Sequence, residues 1–449
     1  MTPYLLPVAV LVELLGLLSG ATSLSVAAGV LFLVYFMLIL PELEGYARYL
    51  AFITLLTLAA LFSVDRLPPE QMTNAAAAAA FYGAFLGSLG MMQCLVRRFE
   101  VLRRIHDVLL GGASFWLYPK YALTSCAVAS VLNFGVMNLL CGALSDTLRE
   151  RGITGTARLR WLRSVLSSTL RGFALVPLIA PTSVAVAIIT REVPSLSWAQ
   201  LLPYGATAAL LFIGLGWRLE HRRFQQISTE RARLERWPDG SITLILVVAA
   251  VFGVMAGLVL TTRLNVSRAA MVTVPVITVL YMLCHDRVLL PVLREVVDNT
   301  VSLKNEMCIF AASAALGVTL AAQVPPELLA NLVAERVGLF GLAVVAMLIL
   351  PLFAAVGIAP ITVLSFLAGL LSQLTATGTP PLLIAVALVI GFSLAMMLSP
   401  FGPSVMLLAR FGKLSRWVVA FGWNGLFALA SLPLMLALLG LWYLTGVVL

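Results

Sequence analysis

The chain has 449 residues, of which 61% are hydrophobic and only 11% are charged, and its mean hydropathy is +1.03. Soluble domains carry roughly 25% charged residues, so this composition excludes a soluble protein. Long apolar runs recur where a membrane β-barrel would show short alternating ones, which predicts an all-α integral membrane protein. The net charge of +9 lies mostly in short loops, where it orients the chain in the membrane and does not indicate nucleic-acid binding.

The first half of the chain, residues 1–217, begins with predicted scaffold helices within residues 1–93. A basic amphipathic linker leads to an apolar stretch at 109–145, which two polar segments interrupt. This stretch forms either one kinked span or a re-entrant hairpin. A basic segment then precedes a broken helix at 165–190, and one further span closes this half. The scaffold spans are predicted at 4–20, 24–40, 47–64 and 73–93.

Residues 218–240 are the most charged stretch and are predicted to form a cytoplasmic basic linker. The second half, residues 241–449, follows the same order of elements as the first. It contains scaffold helices at 241–322, an interrupted stretch at 337–373, a broken helix at 380–410 and a final helix at 417–446. The whole chain is therefore predicted to have about eleven transmembrane helices plus two hairpins.

The two broken helices carry similar interruptions that lie 219 positions apart in the sequence. In each, an apolar run meets a proline (Pro181 or Pro400), then small residues, a short apolar half and an arginine. A break frees backbone N–H and C=O groups, which membranes tolerate only where the break is buried or lines a cavity. Paired interruptions at matching places in two halves indicate the substrate site of a transporter.

The basic segments decide how the first interrupted stretch crosses the membrane. The segments at 97–104, 149–163, 218–236 and 287–304 should all face the cytoplasm. The stretch at 109–145 must then enter and leave on one side, which favours the re-entrant hairpin. The same rule places the second hairpin on the outside, so the halves form two inverted-topology repeats. The N-terminus is predicted to be cytoplasmic and the C-terminus outside, in a bacterial-type inner membrane.

This arrangement resembles the ion transporter superfamily, which includes divalent anion/sodium symporters, the large subunits of TRAP carriers, and citrate and arsenite carriers. The resemblance implies an elevator mechanism and a homodimer. Symporters of this group carry a Ser-Asn-Thr signature at each hairpin tip. The positions that correspond here are Ser130, Asn133 and Asn138 at the first tip and Gly357, Pro360 and Thr362 at the second. The second tip lacks the asparagine, so the resemblance leaves sodium coupling and dicarboxylate recognition open.

The half-helices that start at each break direct their N-terminal N–H groups and a partial positive charge toward the predicted cavity. An anionic substrate therefore fits this site better than a cationic one. Two alternatives stay open: the hydroxyls bond only backbone within their helices, and the asparagines serve helix packing. The predicted substrate-binding residues are Ser130, Asn133, Asn138, Pro181, Thr182, Ser183, Gly357, Pro360, Thr362, Pro400, Gly402 and Ser404.

Two charged residues lie inside predicted spans and are candidates for a charge or proton role. Glu13 is either a proton carrier or a structural group of the first helix, and Arg171 either attracts an anion or extends toward the membrane surface. All three histidines fall in polar loops, so we expect no histidine metal site in the membrane.

The sequence favours a secondary active transporter that moves a small organic anion and is coupled to H⁺ or Na⁺, with membrane lipid as its other partner and no further cofactor. One alternative is the membrane subunit of a binding-protein-dependent, TRAP-like carrier. Another is a flippase or exporter of a lipid-linked or amphiphilic substrate. No nucleotide-binding glycine loop is present, and no polar loop carries a catalytic constellation, so we do not expect an enzyme.

Overall fold

A computed structural model describes residues 2–96, 98–99, 109, 114–132, 135–150, 152, 154–227, 241–262, 264–331 and 338–446. Within these ranges the chain contains no β-strand, and nine helices are long and apolar enough to cross a membrane. A bent pair of helices brings the number to ten. The predicted all-α membrane fold is confirmed. The number of spanning helices is lower than the eleven or so that the sequence predicts. Part of this difference arises because two apolar helices, Tyr4–Ser19 and Thr22–Leu38, are shorter than the roughly 20 residues of a typical span.

The chain begins with four apolar helices, of which the first, second and fourth pack against one another. They are α1 (Thr2–Ser19), α2 (Thr22–Leu38), α3 (Gly45–Ser63) and α4 (Pro69–Gly90), and a short helix, α5 (Gln93–Val96), follows them. Small residues let α4 approach its neighbours closely. A Cβ atom on Gly29 of α2 would lie 2.3 Å from the carbonyl oxygen of Ala76 in α4, so the two backbones are in contact.

The next helices include the first interrupted stretch and the first broken helix. They are α6 (Leu117–Leu132), α7 (Gly135–Glu150), α8 (Gly155–Phe173), α9 (Val176–Ile179), α10 (Val184–Glu192) and α11 (Trp198–Ile227). Residues 133 and 134, between α6 and α7, lie outside the described residues, as do most of the basic linker before α6 and residues 228–240. Helix α11 continues ten residues beyond the predicted end of its span at 217.

The second half begins with α12 (Ser241–Thr261), α13 (Val266–Asp286), α14 (Leu289–Ser302), α15 (Lys304–Ala321) and α16 (Pro326–Asn331). Helices α14 and α15 form the bent pair, with an angle of 55° between them. Arg98 ties α13 to α14, because its guanidinium pairs with Asp286 at the end of α13 and with Glu295 of α14, the latter at 2.8 Å. The hydrogen bonds that it donates to these carboxylates raise the pKa of Arg98, so the guanidinium remains charged.

The last helices are α17 (Gly338–Val356), α18 (Pro360–Ala376), α19 (Leu382–Leu398), α20 (Pro403–Gly412) and α21 (Asn424–Leu444). A single π-helical turn, Val418–Trp423, precedes α21. Helix α19 ends at Leu398 and α20 begins at Pro403, just as α9 ends at Ile179 and α10 begins at Val184. Both broken helices thus leave four residues without regular structure.

The two halves pack against one another reciprocally. Helix α6 packs on α8 and α17 packs on α19, while across the halves α10 packs on α18 and α20 packs on α7. A Cβ atom on Gly172 would lie 2.3 Å from the Ala122 carbonyl oxygen, and one on Gly391 would lie 2.5 Å from that of Met347. These two glycines are 219 positions apart, and each lets a broken helix approach the first helix of the interrupted stretch before it.

One hydrogen bond joins two residues that occupy equivalent positions in the two halves of the chain. The Ser393 hydroxyl of α19 donates to the carbonyl of Ala174, at the end of α8, and these residues are also 219 positions apart. In a symmetric pair, a group touches its own equivalent only near the symmetry axis. The contact is the one expected if the halves are repeats related by such an axis; their opposite orientation in the membrane stays a prediction.

Candidate functional site

A small cavity of about 50 Å³ lies where the two helix breaks meet the start of α18. Five predicted residues line it: Thr182 and Ser183 from the first break, Gly402 and Ser404 from the second, and Pro360 from α18. The rest of the lining is mostly apolar and includes three phenylalanines, Phe173, Phe310 and Phe392. No local sequence signal distinguishes these rings, because apolar residues are common throughout the chain.

Three helices begin at the wall of this cavity. Val184 starts α10, Pro360 starts α18 and Pro403 starts α20, and all three residues line it. The first N–H groups of a helix have no partner within the helix, and they carry a partial positive charge. Among the described residues, no Asp, Glu, Lys or Arg lines the cavity. Its electrostatic potential therefore comes from backbone groups rather than from charged side chains.

The chain leaves and re-enters the helix at each break for local reasons. In the first, the Ser183 side chain caps α10 by accepting a hydrogen bond from the Ala185 N–H at 3.2 Å. In the second, Gly402 occupies the capping position and Pro403 the first helical position, where a proline loses no intrahelical hydrogen bond. Pro181 and Pro400 lie within the breaks themselves.

The hydroxyl groups of the predicted site differ in their existing partners. Thr182 donates to the Ser130 carbonyl, which joins the first break to the end of α6. The Ser130 hydroxyl itself donates to Cys126, and Thr362 donates to Ser313 of α15 at 2.9 Å. The Ser404 hydroxyl makes only a long contact of 3.4 Å, to the Met396 carbonyl. Of these hydroxyls, that of Ser404 gives up least if it bonds a ligand.

The two asparagines cannot be placed at the cavity. Asn133 lies outside the described residues, and Asn138 lies on α7 with a side chain that is also outside the described part of the chain. Their predicted role in binding stays a prediction.

The turn before α18 rests on the second break. Gly357 has φ +107°, and a Cβ atom there would lie 2.9 Å from the Phe401 ring. The Tyr46 hydroxyl of α3 donates to the Gly357 carbonyl at 3.3 Å, and its ring stacks on Phe401 with centroids 6.1 Å apart. The guanidinium of Arg416 lies 4.2 Å from the centroid of the same ring. Gly357 therefore does not line the cavity but fixes the turn that leads into it.

We expect Gly357→Ala to lower the thermal unfolding midpoint of the purified protein. A side chain at this position meets both the unfavourable positive φ and the Phe401 ring, and such backbone strain costs of order 1–3 kcal/mol. Gly253→Ala is a matched control, because nothing lies within 4 Å of a Cβ atom there. Equal midpoints for the two variants would contradict this account of the turn.

Arg171 does not line the cavity, although the sequence made it a candidate for attracting an anion. Its side chain is 3% exposed, and it donates to the Asn424 side chain at 3.0 Å, the Trp423 carbonyl at 2.9 Å and Glu220 at 3.2 Å. The π-helical turn presents the Trp423 carbonyl, and Asn424 in turn donates to Val419. Its role in attracting an anion and the alternative of extending toward the membrane surface both stay predictions.

Glu13 is 1% exposed and belongs to a second group of charges, away from the cavity. It lies beside Ser25 of α2 and in electrostatic range of Arg191 and Arg268. Arg191 pairs with Glu192 at 3.0 Å at the end of α10. With both carboxylates ionised, these two acids and two arginines are formally neutral together. A proton role for Glu13 stays a prediction.

Comparisons with known proteins place the fold but not a family. No family model matches the sequence, and no curated protein matches it. The fold is similar to that of a solved structure described as the YdaH transporter of Alcanivorax borkumensis, with an unusual topology. The TM-score is 0.56 over 87% of this chain and 89% of that chain, at 16% sequence identity. Identity this low shows the fold alone.

Proposed function

We propose that this chain is a secondary active transporter that carries a small organic anion with an apolar part across the cytoplasmic membrane. The observation that carries the proposal is the convergence of three helix N-termini, from α10, α18 and α20, on one cavity between the two helix breaks. Helix N-termini favour anionic groups, and three phenylalanine rings offer contact to an apolar part. The likeness in fold to a transporter supports the same proposal.

The size of the cavity bears on how such a substrate binds. A volume of about 50 Å³ holds one or two water molecules, since each takes about 30 Å³ in the liquid. An organic anion enters only after the walls separate. The turn before α18 and the α6–α7 pair adjoin the breaks, so we propose that the interrupted stretches act as hairpins that open and close the site. Movement of these helices against the scaffold α1–α4 would be an elevator mechanism.

The coupling ion, the assembly and the orientation belong to the same proposal. We propose coupling to H⁺ or Na⁺, a homodimer, and an N-terminus in the cytoplasm with the C-terminus outside. The distribution of basic segments along the sequence supports this orientation.

The test is the thermal unfolding midpoint of the full chain against aliphatic and aromatic carboxylates, phosphates and sulfonates. Each compound is measured with and without sodium and at two pH values. A ligand that binds only the folded protein raises the midpoint. We expect one anion class to do so, and a dependence on sodium or on pH identifies the coupling ion. The compound that binds is then followed by uptake into proteoliposomes.

Ser404→Ala assigns the binding to the cavity. We expect the variant to bind the stabilising anion about tenfold more weakly, because a hydrogen bond to a charged group is worth roughly 1.5–3 kcal/mol. Ser365→Ala is the matched control, since Ser365 is a buried serine of α18 that does not line the cavity. If the two variants bind alike, the site is elsewhere. If only an amphiphilic lipid precursor raises the midpoint, a flippase replaces the anion carrier.

A further inference from the structure

Three arginines surround one carboxylate where α8 and α11 meet. Glu220 of α11 is 1% exposed, and one of its oxygens accepts from Arg171 at 3.2 Å and from Arg223 at 2.6 Å. Arg163, two helical turns before Arg171 on α8, lies in electrostatic range of all three. We call these four residues the arginine cluster. Its formal charge is three positive against one negative, so two positive charges lack a counter-charge within it.

The arginines of the cluster are not equally engaged. Arg171 uses Nε, Nη1 and Nη2 on protein acceptors, and it lies 4.5 Å from the centroid of the Phe427 ring. Arg163 is half-buried, and its Nε atom is buried without a hydrogen-bond partner among the described residues. The Arg223 side chain is 37% exposed, and its one ion pair with a described residue is the pair with Glu220. The N–H groups left to bond an external anion therefore belong to Arg163 and Arg223.

Like charges held together at a partly buried site repel one another, and the effect is larger than in water because the local dielectric is lower. Buried charges are normally paired. The second oxygen of Glu220 has no hydrogen-bond partner in the described structure, so the carboxylate bonds Arg171 and Arg223 but not Arg163. An external anion that bonds Arg163 and Arg223 removes the imbalance. Guanidinium groups bind phosphate oxygens with matching geometry.

Neighbouring aromatic side chains indicate the depth of this site. Trp217 lies one turn before Glu220 on α11, donates to the Phe115 carbonyl at 2.8 Å and stacks on Trp116 with centroids 4.8 Å apart. The Trp116 and Phe115 side chains are 50% and 41% exposed. Tryptophans concentrate at the boundary between the membrane core and the headgroups. The arginine cluster thus lies at headgroup level, where the phosphate of a lipid is the anion at hand.

We propose that Arg163 and Arg223 form a phosphate-binding site that is occupied by the headgroup of an anionic phospholipid. The site is separate from the cavity between the helix breaks. Basic pockets between membrane helices bind anionic headgroups in this way. The lipid would hold α8 to α11, and through Arg171 and the Trp423 carbonyl it would also support the π-helical turn before α21.

The test uses the full chain in nanodiscs of phosphatidylcholine with and without phosphatidylglycerol, and in detergent with inorganic phosphate. We expect phosphatidylglycerol to raise the unfolding midpoint of the unchanged protein. In a titration with phosphatidylglycerol, Arg163→Gln and Arg223→Gln should each weaken the apparent affinity for this lipid at least about tenfold, because each variant loses a charge-assisted hydrogen bond to the phosphate. Arg160→Gln is the control, because Arg160 is exposed on the same helix.

Each outcome decides the matter. Equal responses of the Arg163, Arg223 and Arg160 variants overturn the proposal. A rise with inorganic phosphate that needs Arg163 and Arg223, without any effect of phosphatidylglycerol, keeps the phosphate site but replaces the lipid by a free anion. If Arg163→Gln does not fold, Arg223→Gln alone tests the site. We expect this variant to fold, because the Arg223 side chain is partly exposed. Arg163→Lys should retain only part of the response, since it keeps the charge but loses the guanidinium geometry.

Discussion

Replacing Glu220 by Gln should lower the stability of the protein by about 3–5 kcal/mol, the usual cost of removing one partner from a buried ion pair. The substitution keeps the shape of the side chain but removes the one carboxylate that the described residues place among Arg163, Arg171 and Arg223. Three guanidinium groups then face one another with no counter-charge within the cluster. The thermal unfolding midpoint and the yield of monodisperse protein in detergent measure the loss.

Glu70→Gln is the control for this change. Glu70 is an exposed carboxylate in the first turn of α4, so losing its charge should move the midpoint very little. A midpoint of Glu220→Gln close to that of Glu70→Gln would mean that the buried carboxylate does not hold the arginines together.

Valine at Gly172 or at Gly391 should disrupt helix packing strongly. The new Cβ atom would lie 2.3 Å from the Ala122 carbonyl oxygen in the first case and 2.5 Å from the Met347 carbonyl oxygen in the second. Backbone atoms cannot turn aside as a side chain can, so α8 must separate from α6 and α19 from α17. Overpacking of this kind costs about 1–3 kcal/mol or more. The unfolding midpoints of the two variants are compared directly.

Gly257→Val serves as the control, because a Cβ atom at Gly257 of α12 meets nothing within 4 Å. If Gly172 and Gly391 hold equivalent positions in two repeats, their variants should lose stability to a similar degree. A large loss at one position and none at the other would count against that equivalence.

The helix breaks were predictable because their causes are local. Proline ends a helix where its missing N–H and its ring interfere with the preceding turn, and small residues at a break permit the next helix to start. These signals lie within a few residues of Pro181 and Pro400, so one stretch of sequence is enough to find them. The lining by Thr182, Ser183, Gly402 and Ser404 follows once the two breaks face each other.

The arginine cluster was not predictable from the sequence in the same way. The charged residues from Arg218 onward read as a solvated linker, whereas α11 continues as a helix to Ile227 and keeps Glu220 against α8. Glu220 and Arg223 are three residues apart, which is the spacing of charge pairs on a helix. This spacing is the one sequence signal that the helix continues into the charged stretch. The contact to Arg171 depends on tertiary packing, and no spacing along the chain indicates it.

The hydrogen bond from Ser393 to the Ala174 carbonyl has a mechanical consequence. Both residues belong to broken helices, so in the proposed elevator movement they lie in the moving part and the bond travels with them. It would keep the two helix breaks at a fixed distance while that part slides against α1–α4. Opening of the cavity would then come from the interrupted stretches, because the two broken helices do not separate.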